Sequence, residues 1–160
     1  MRKSWIVAGA VGLVLFATLL GAGVVARAAG GVSLADACKG TGYKFIPIDD
    51  NNFLFKFKGE FGETWNIVAS TQPDYEYVVI WTTVVKLGGK PSQDLAIRCL
   101  ELNNSYAASF IAYDSKNNDL DCQMAIYKPA LSGELLKDAL RQVITMADNE
   151  YRKIRQMSQT

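Results

Sequence analysis

The chain has 160 residues, with 17 basic and 16 acidic side chains, three cysteines and no histidine. The missing histidine excludes a Ser-His or Cys-His nucleophile and any histidine-bearing zinc site. The near-balance of charge provides no clustered basic face for nucleic acid.

Met1-Arg2-Lys3 is a short basic segment, and the 23 residues from Ser4 to Ala26 carry no charge. Ala26-Arg27-Ala28 is an A-x-A site, so residues 1–28 are expected to be an export signal cleaved near Ala28. The competing expectation is an uncleaved anchor, because such a run reaches about 34 Å as a helix, enough to cross the hydrocarbon core. Gly9, Gly12, Gly21 and Gly23 favour cleavage. In either case the basic end stays cytoplasmic and the rest is exported. The expected location is periplasmic or otherwise extracytoplasmic, with inner-membrane anchoring through residues 4–26 if the leader is kept. Cys38 follows Ala35-Asp36-Ala37, and a charge at that place rules out a lipidation signal.

The 132 residues left after residues 1–28 make one ordinary domain, large enough to bury a core without staples. The leader takes three of the 17 basic residues and none of the 16 acidic ones, leaving a net charge of −2.

Ser33 is a plausible N-cap for a short helix to Lys39, ended by Gly40 and Gly42. Tyr43 to Ile48 is extended, and Pro47 confines it to a sheet edge. Asp49 to Asn52 is a turn. Phe53 to Lys58 then alternates, with three phenylalanines on one face. Glu63 to Ser70 follows as a strand with Trp65, Ile67 and Ala69 together. Tyr75 to Leu87 is the longest strand, apolar on both faces at its middle and therefore central or covered on both sides. The three strands from Phe53 to Leu87 form a meander.

Ser92 caps a helix to about Asn103, whose apolar stripe is Leu95, Cys99 and Leu102, widened by Ile97 and Leu100. Ala107–Tyr113 and Leu120–Tyr127 form a hairpin whose asparagines suit a positive φ. Leu120, Cys122, Met124 and Ile126 share one face of it. Ser132 caps a long helix to about Gln156, striped by Leu136, Leu140, Val143, Ala147, Tyr151 and Ile154. Asp148 and Arg152 are expected to pair on its exposed side. Cys38, Cys99 and Cys122 are expected as buried free thiols, with one disulfide among them as the alternative.

Several polar clusters carry no chemistry on inspection. Asp114 to Asp121 lacks the glycine and the distal glutamate of a calcium loop. Gly88-Gly89-Lys90-Pro91 lacks phosphate-loop spacing and reads as a strand breaker. The carboxylate pairs Asp49/Asp50, Glu60/Glu63 and Asp119/Asp121 lie in turns or on a polar strand face, where solvated charge is the default. No cofactor or metal ligand set is expected. The suggestive group is aromatic: Trp65, Tyr75, Tyr77 and Trp81 sit on neighbouring strands. If their registers agree they form one partner-binding surface; otherwise they are core beneath the helices. An exposed sheet edge could also take a peptide strand.

The order helix, three strands, helix, two strands, long helix carries particular residues. They are Leu100-Glu101-Leu102-Asn103-Asn104, Phe110-Ile111-Ala112-Tyr113-Asp114, the Asn-Asn turn, Leu131-Ser132-Gly133-Glu134-Leu135-Leu136 and Ala147-Asp148-Asn149-Glu150-Tyr151. From Ser33 to Arg155 the chain resembles the YbjN family, the bacterial sensory transduction regulator group, whose domains resemble type III secretion chaperones. That resemblance implies an α+β domain spanning residues 33–157, with one antiparallel sheet and helices packed on it. It also implies polypeptide binding, often as a dimer, and no catalytic set. The usual member is cytoplasmic and has no leader, and this sequence departs from that. The expected function is an exported, non-enzymatic adaptor or chaperone-like domain that binds a protein or a second copy, and no nucleic acid. The alternatives are a small-molecule sensor or weak enzyme with a pocket between sheet and helices, and a membrane-anchored structural envelope protein.

Overall fold

The computed structural model describes residues 31–159; the expected leader, residues 1–28, lies outside them. The elements are α1 (Leu34–Gly40), β1 (Phe45–Asp49), β2 (Asn52–Lys58), β3 (Thr64–Thr71), β4 (Tyr77–Lys86), α2 (Gln93–Ser105), β5 (Phe110–Asp114), β6 (Asp119–Tyr127), a 3-10 turn (Lys128–Ala130) and α3 (Gly133–Ser158). One antiparallel sheet takes the order β1-β2-β3-β4-β6-β5. Among the described residues no helix is long and apolar enough to cross a membrane.

Each of the three α-helices of the described residues starts at a serine. The hydroxyls of Ser33, Ser92 and Ser132 accept from the backbone N–H of Asp36, Leu95 and Leu135 at 3.1, 3.3 and 3.1 Å. Each satisfies a donor that the first turn leaves free. Four strands, not three, lie between α1 and α2. Pro47 takes part because β1 is an edge and needs a partner on one side only. Asn118 supplies the positive φ, 56°, of the β5–β6 turn.

The alternation of each strand divides the sheet into two faces. Phe53, Phe55, Trp65, Ile67, Ala69, Val78, Ile80, Val84, Leu120, Cys122, Met124 and Ile126 are buried. They form one core with Leu34, Ala37 and Cys38 of α1, Leu95, Cys99 and Leu102 of α2, and the stripe of α3 from Leu136 to Ile154. The helices therefore lie on that face; Ile97 and Leu100, expected to widen the stripe of α2, point away from it and are exposed. Gly40 and Gly133 let α1 meet the start of α3: a Cβ on Gly133 would sit 2.5 Å from the Gly40 carbonyl carbon.

The expected Asp148–Arg152 pair is not formed. Asp148 faces inward, is 6% exposed, and accepts from the Trp65 indole N–H and the Glu60 backbone N–H, both at 2.8 Å. Arg152 instead lies over the Phe61 ring, 4.4 Å from its centroid. Two N–H donors, one buried and one partly buried, hold a carboxylate better than one exposed guanidinium does. Gly59 makes this possible, because a Cβ there would collide with Asp148.

The three cysteines are free and buried. Burial pushes the Cys38 and Cys122 thiols up to about 12 and raises that of Cys99.

Candidate protein-binding surface

A sheet can offer a partner its edges or its open face, and both edges here are blunted. On β1, Pro47 has no N–H to donate. On β5, the Asn103 side chain of α2 occupies the free edge. Its amide donates to the Ile111 carbonyl at 3.0 Å and its oxygen accepts from the Ile111 N–H at 2.6 Å. That pair reproduces the bonds of a neighbouring strand.

The open face remains, and its residues line up across the sheet. The registers join Ile46 to Leu54, Leu54 to Val68, Val68 to Trp81, Trp81 to Gln123 and Gln123 to Phe110. One row thus crosses all six strands, and every member except Gln123 is apolar. Beside it, Val79 pairs with Ala125 and Tyr77 with Tyr127, the two tyrosine rings 5.7 Å apart. Ile46, Tyr75, Tyr77, Tyr127 and Phe110 are exposed, between 38% and 55%. Aligned apolar side chains with no helix of the described residues over them form a patch that would gain from burial.

Of the four aromatic residues singled out in the sequence, Tyr75, Tyr77 and Trp81 belong to this side. Trp65 does not. The register sets Val68 against Trp81 and Ala69 against Ile80, so Trp65 shares the covered face with Ile80. There it packs edge-on to Tyr151, centroids 5.4 Å apart. The two tryptophans still approach one place. Strands β3 and β4 pair only over Val68–Thr71 and Val78–Trp81. Beyond that they part, leaving a crevice of about 380 Å³ lined by Trp65, Trp81, Thr64, Asn66, Thr83 and Tyr151 among others. The Thr82 hydroxyl bridges it, donating to the Asn66 carbonyl at 2.9 Å.

A second groove, about 410 Å³, runs over the open face on the other side of Trp81. Tyr75, Val79 and Trp81 line one part of it, and Asp114, Asp119 and Asp121 the other. Asp121 is 6% exposed and accepts from the Thr83 hydroxyl at 2.9 Å. Burial raises its carboxyl above the ordinary value, the Thr83 hydrogen bond opposes this, and Asp119 and Asp114 add to the rise. Oδ1 of Asp119 is buried with no hydrogen-bond partner. The sequence put Asp121 on the polar face of its strand, but gave no sign that this face would be half-enclosed.

No family model matches the sequence, and no curated protein matches it. Solved structures do. A chain of the ExsC–ExsE complex aligns with a TM-score of 0.52 and 11% identity, over 68% of this chain and 80% of that one. A chain of the heterodimeric ExoU–SpcU complex from the type III secretion system of Pseudomonas aeruginosa gives 0.51 and 11%, over 78% and 97%. A chain of the HopA1–SchA chaperone–effector complex gives 0.51 and 15%, over 80% and 91%. The expected α+β chaperone-like fold is therefore the observed one.

Proposed function

We propose that this chain is a non-enzymatic protein-binding module, an adaptor or chaperone-like domain of the cell envelope, and a member of the YbjN-type regulators. The observation that carries the binding reading is the open sheet face. Its apolar row crosses six strands, no helix of the described residues covers it, and both sheet edges are blunted, so the face is where a partner gains most. Trp81 and the paired Tyr77 and Tyr127 are the rigid aromatic anchors such surfaces use. The fold, shared with chains from chaperone–effector and secretion complexes, supports the same reading. The basic start, the uncharged run and the A-x-A site of residues 1–28 support export.

A photo-reactive residue at Val79, on the face, and another at Leu100, exposed on α2, test this in intact cells. Cross-links to a polypeptide from Val79 and none from Leu100 are expected. None from either, or equal yields from both, would remove the face as the binding site. The N-terminal residue of the protein isolated from cells tests the export reading. Ala29 or a neighbour means cleavage, and Met1 in a membrane fraction means an anchored protein.

A further inference from the structure

The groove beside Trp81 has a chemistry more specific than apolar burial. We propose that it binds an extended polypeptide segment presenting an apolar residue and, two positions on, an arginine or lysine. This rests on the protein-binding reading and names the kind of partner.

The apolar part is built by Val79, Trp81 and Tyr75, and the acidic part by Asp121, Asp119 and Asp114. Val79, Trp81 and Thr83 are successive residues on one face of β4, about 13 Å from first to last, the reach of about four extended residues. In an extended segment, side chains two apart point the same way. An apolar side chain over Val79 and Trp81 therefore puts the side chain two positions on over Thr83 and its cross-strand neighbour Asp121.

That second position calls for a cation. Asp121 is buried with only neutral donors beside it, the Thr83 hydroxyl and the Gln123 amide, and Asp119 has a buried oxygen with no partner at all. Asp114 is already held by the Lys116 N–H and the Asn117 amide, and so contributes field more than contact. Lys86 faces Asp119 in register and Lys116 sits in the adjoining turn. Neither is ion-paired: among the described residues the ion pairs are Lys39–Asp36, Arg98–Glu101 and Arg98–Glu150. A guanidinium fits better than an ammonium. It can address two carboxylate oxygens at once and lie flat against the Trp81 ring.

The test uses the protein as purified from cells and two labelled peptides read by fluorescence anisotropy, one repeating leucine, serine and arginine, the other with glutamate for arginine. The arginine peptide is expected to bind and the glutamate peptide not. Asp121→Asn and Asp119→Asn should each weaken the arginine peptide by about tenfold or more, with folding checked by thermal unfolding. Lysine in place of arginine should bind more weakly. Equal binding of both peptides, or no loss in the double Asp→Asn variant, would overturn the proposal. So would a dimer in light scattering that both Asp121→Asn and Lys56→Glu dissociate, Lys56 being the exposed cation two residues beyond Leu54 on the open face of β2, because a second copy would then be the occupant. If the Val79 cross-link in cells survives in the double variant, the protein-binding reading stands and this inference alone falls.

Discussion

The two faces of one sheet differ in how their side chains are held. On the covered face Phe55, Ile67 and Ile80 are fully enclosed between strands and helices. On the open face their immediate neighbours Leu54, Val68 and Trp81 are half-buried, aligned and uncovered. The same strands build both, so backbone regularity does not separate stability from recognition; parity along the strand does. Substitutions on even and odd positions of β4 should therefore have different readouts.

The largest effect is expected on the covered face. Phe55→Ala should cost about 3–5 kcal/mol in urea unfolding, because an enclosed ring leaves a cavity. Asp148→Ala should cost about 2–3 kcal/mol, since it strands the Trp65 indole and the Glu60 N–H. Trp81→Ala, on the open face, should cost only about 1–2 kcal/mol in burial while abolishing the Val79 cross-link. A larger loss of stability than of binding would erase the distinction between the faces. Asn103→Ala should cost about 1 kcal/mol and, by freeing the β5 edge, raise self-association measured by light scattering with concentration.

The smallest effect has the opposite sign. Asp121 has a raised folded value, so between its ordinary 3.8 and that value the folded chain holds the extra proton. Its contribution to stability therefore falls as pH rises through that window and stays unfavourable at neutral pH. Asp121→Asn keeps an acceptor for Thr83 and should stabilise the domain at pH 7 by under about 1 kcal/mol, with no gain once the pH is below 3.8. A stabilised variant that binds less would mark Asp121 as kept for recognition.

What the sequence made legible was local. The serine caps, the period of β2 and β3, the hairpin turn and the stripe of α3 are set within a few residues, and each stands where expected. Relative parity between strands was not legible. Trp65 and Trp81 each had a known set of same-strand companions, but only the pairing of Val68 with Trp81 decides that they face apart. That pairing is a register between two strands, which the alternation within either one does not state. Asp148 was misplaced for a related reason. Its spacing to Arg152 is a local signal, and the partners that outcompete it, Trp65 and Glu60, lie more than 80 residues away. The mimicry of a strand by Asn103 likewise depends on where α2 lies against β5, which no spacing within α2 announces.

The buried thiols have a consequence for the life of the chain. A sulfur that is enclosed and held in the thiol form is a poor nucleophile toward a disulfide as long as the domain stays folded. Folding of the described residues therefore calls for no disulfide to be made.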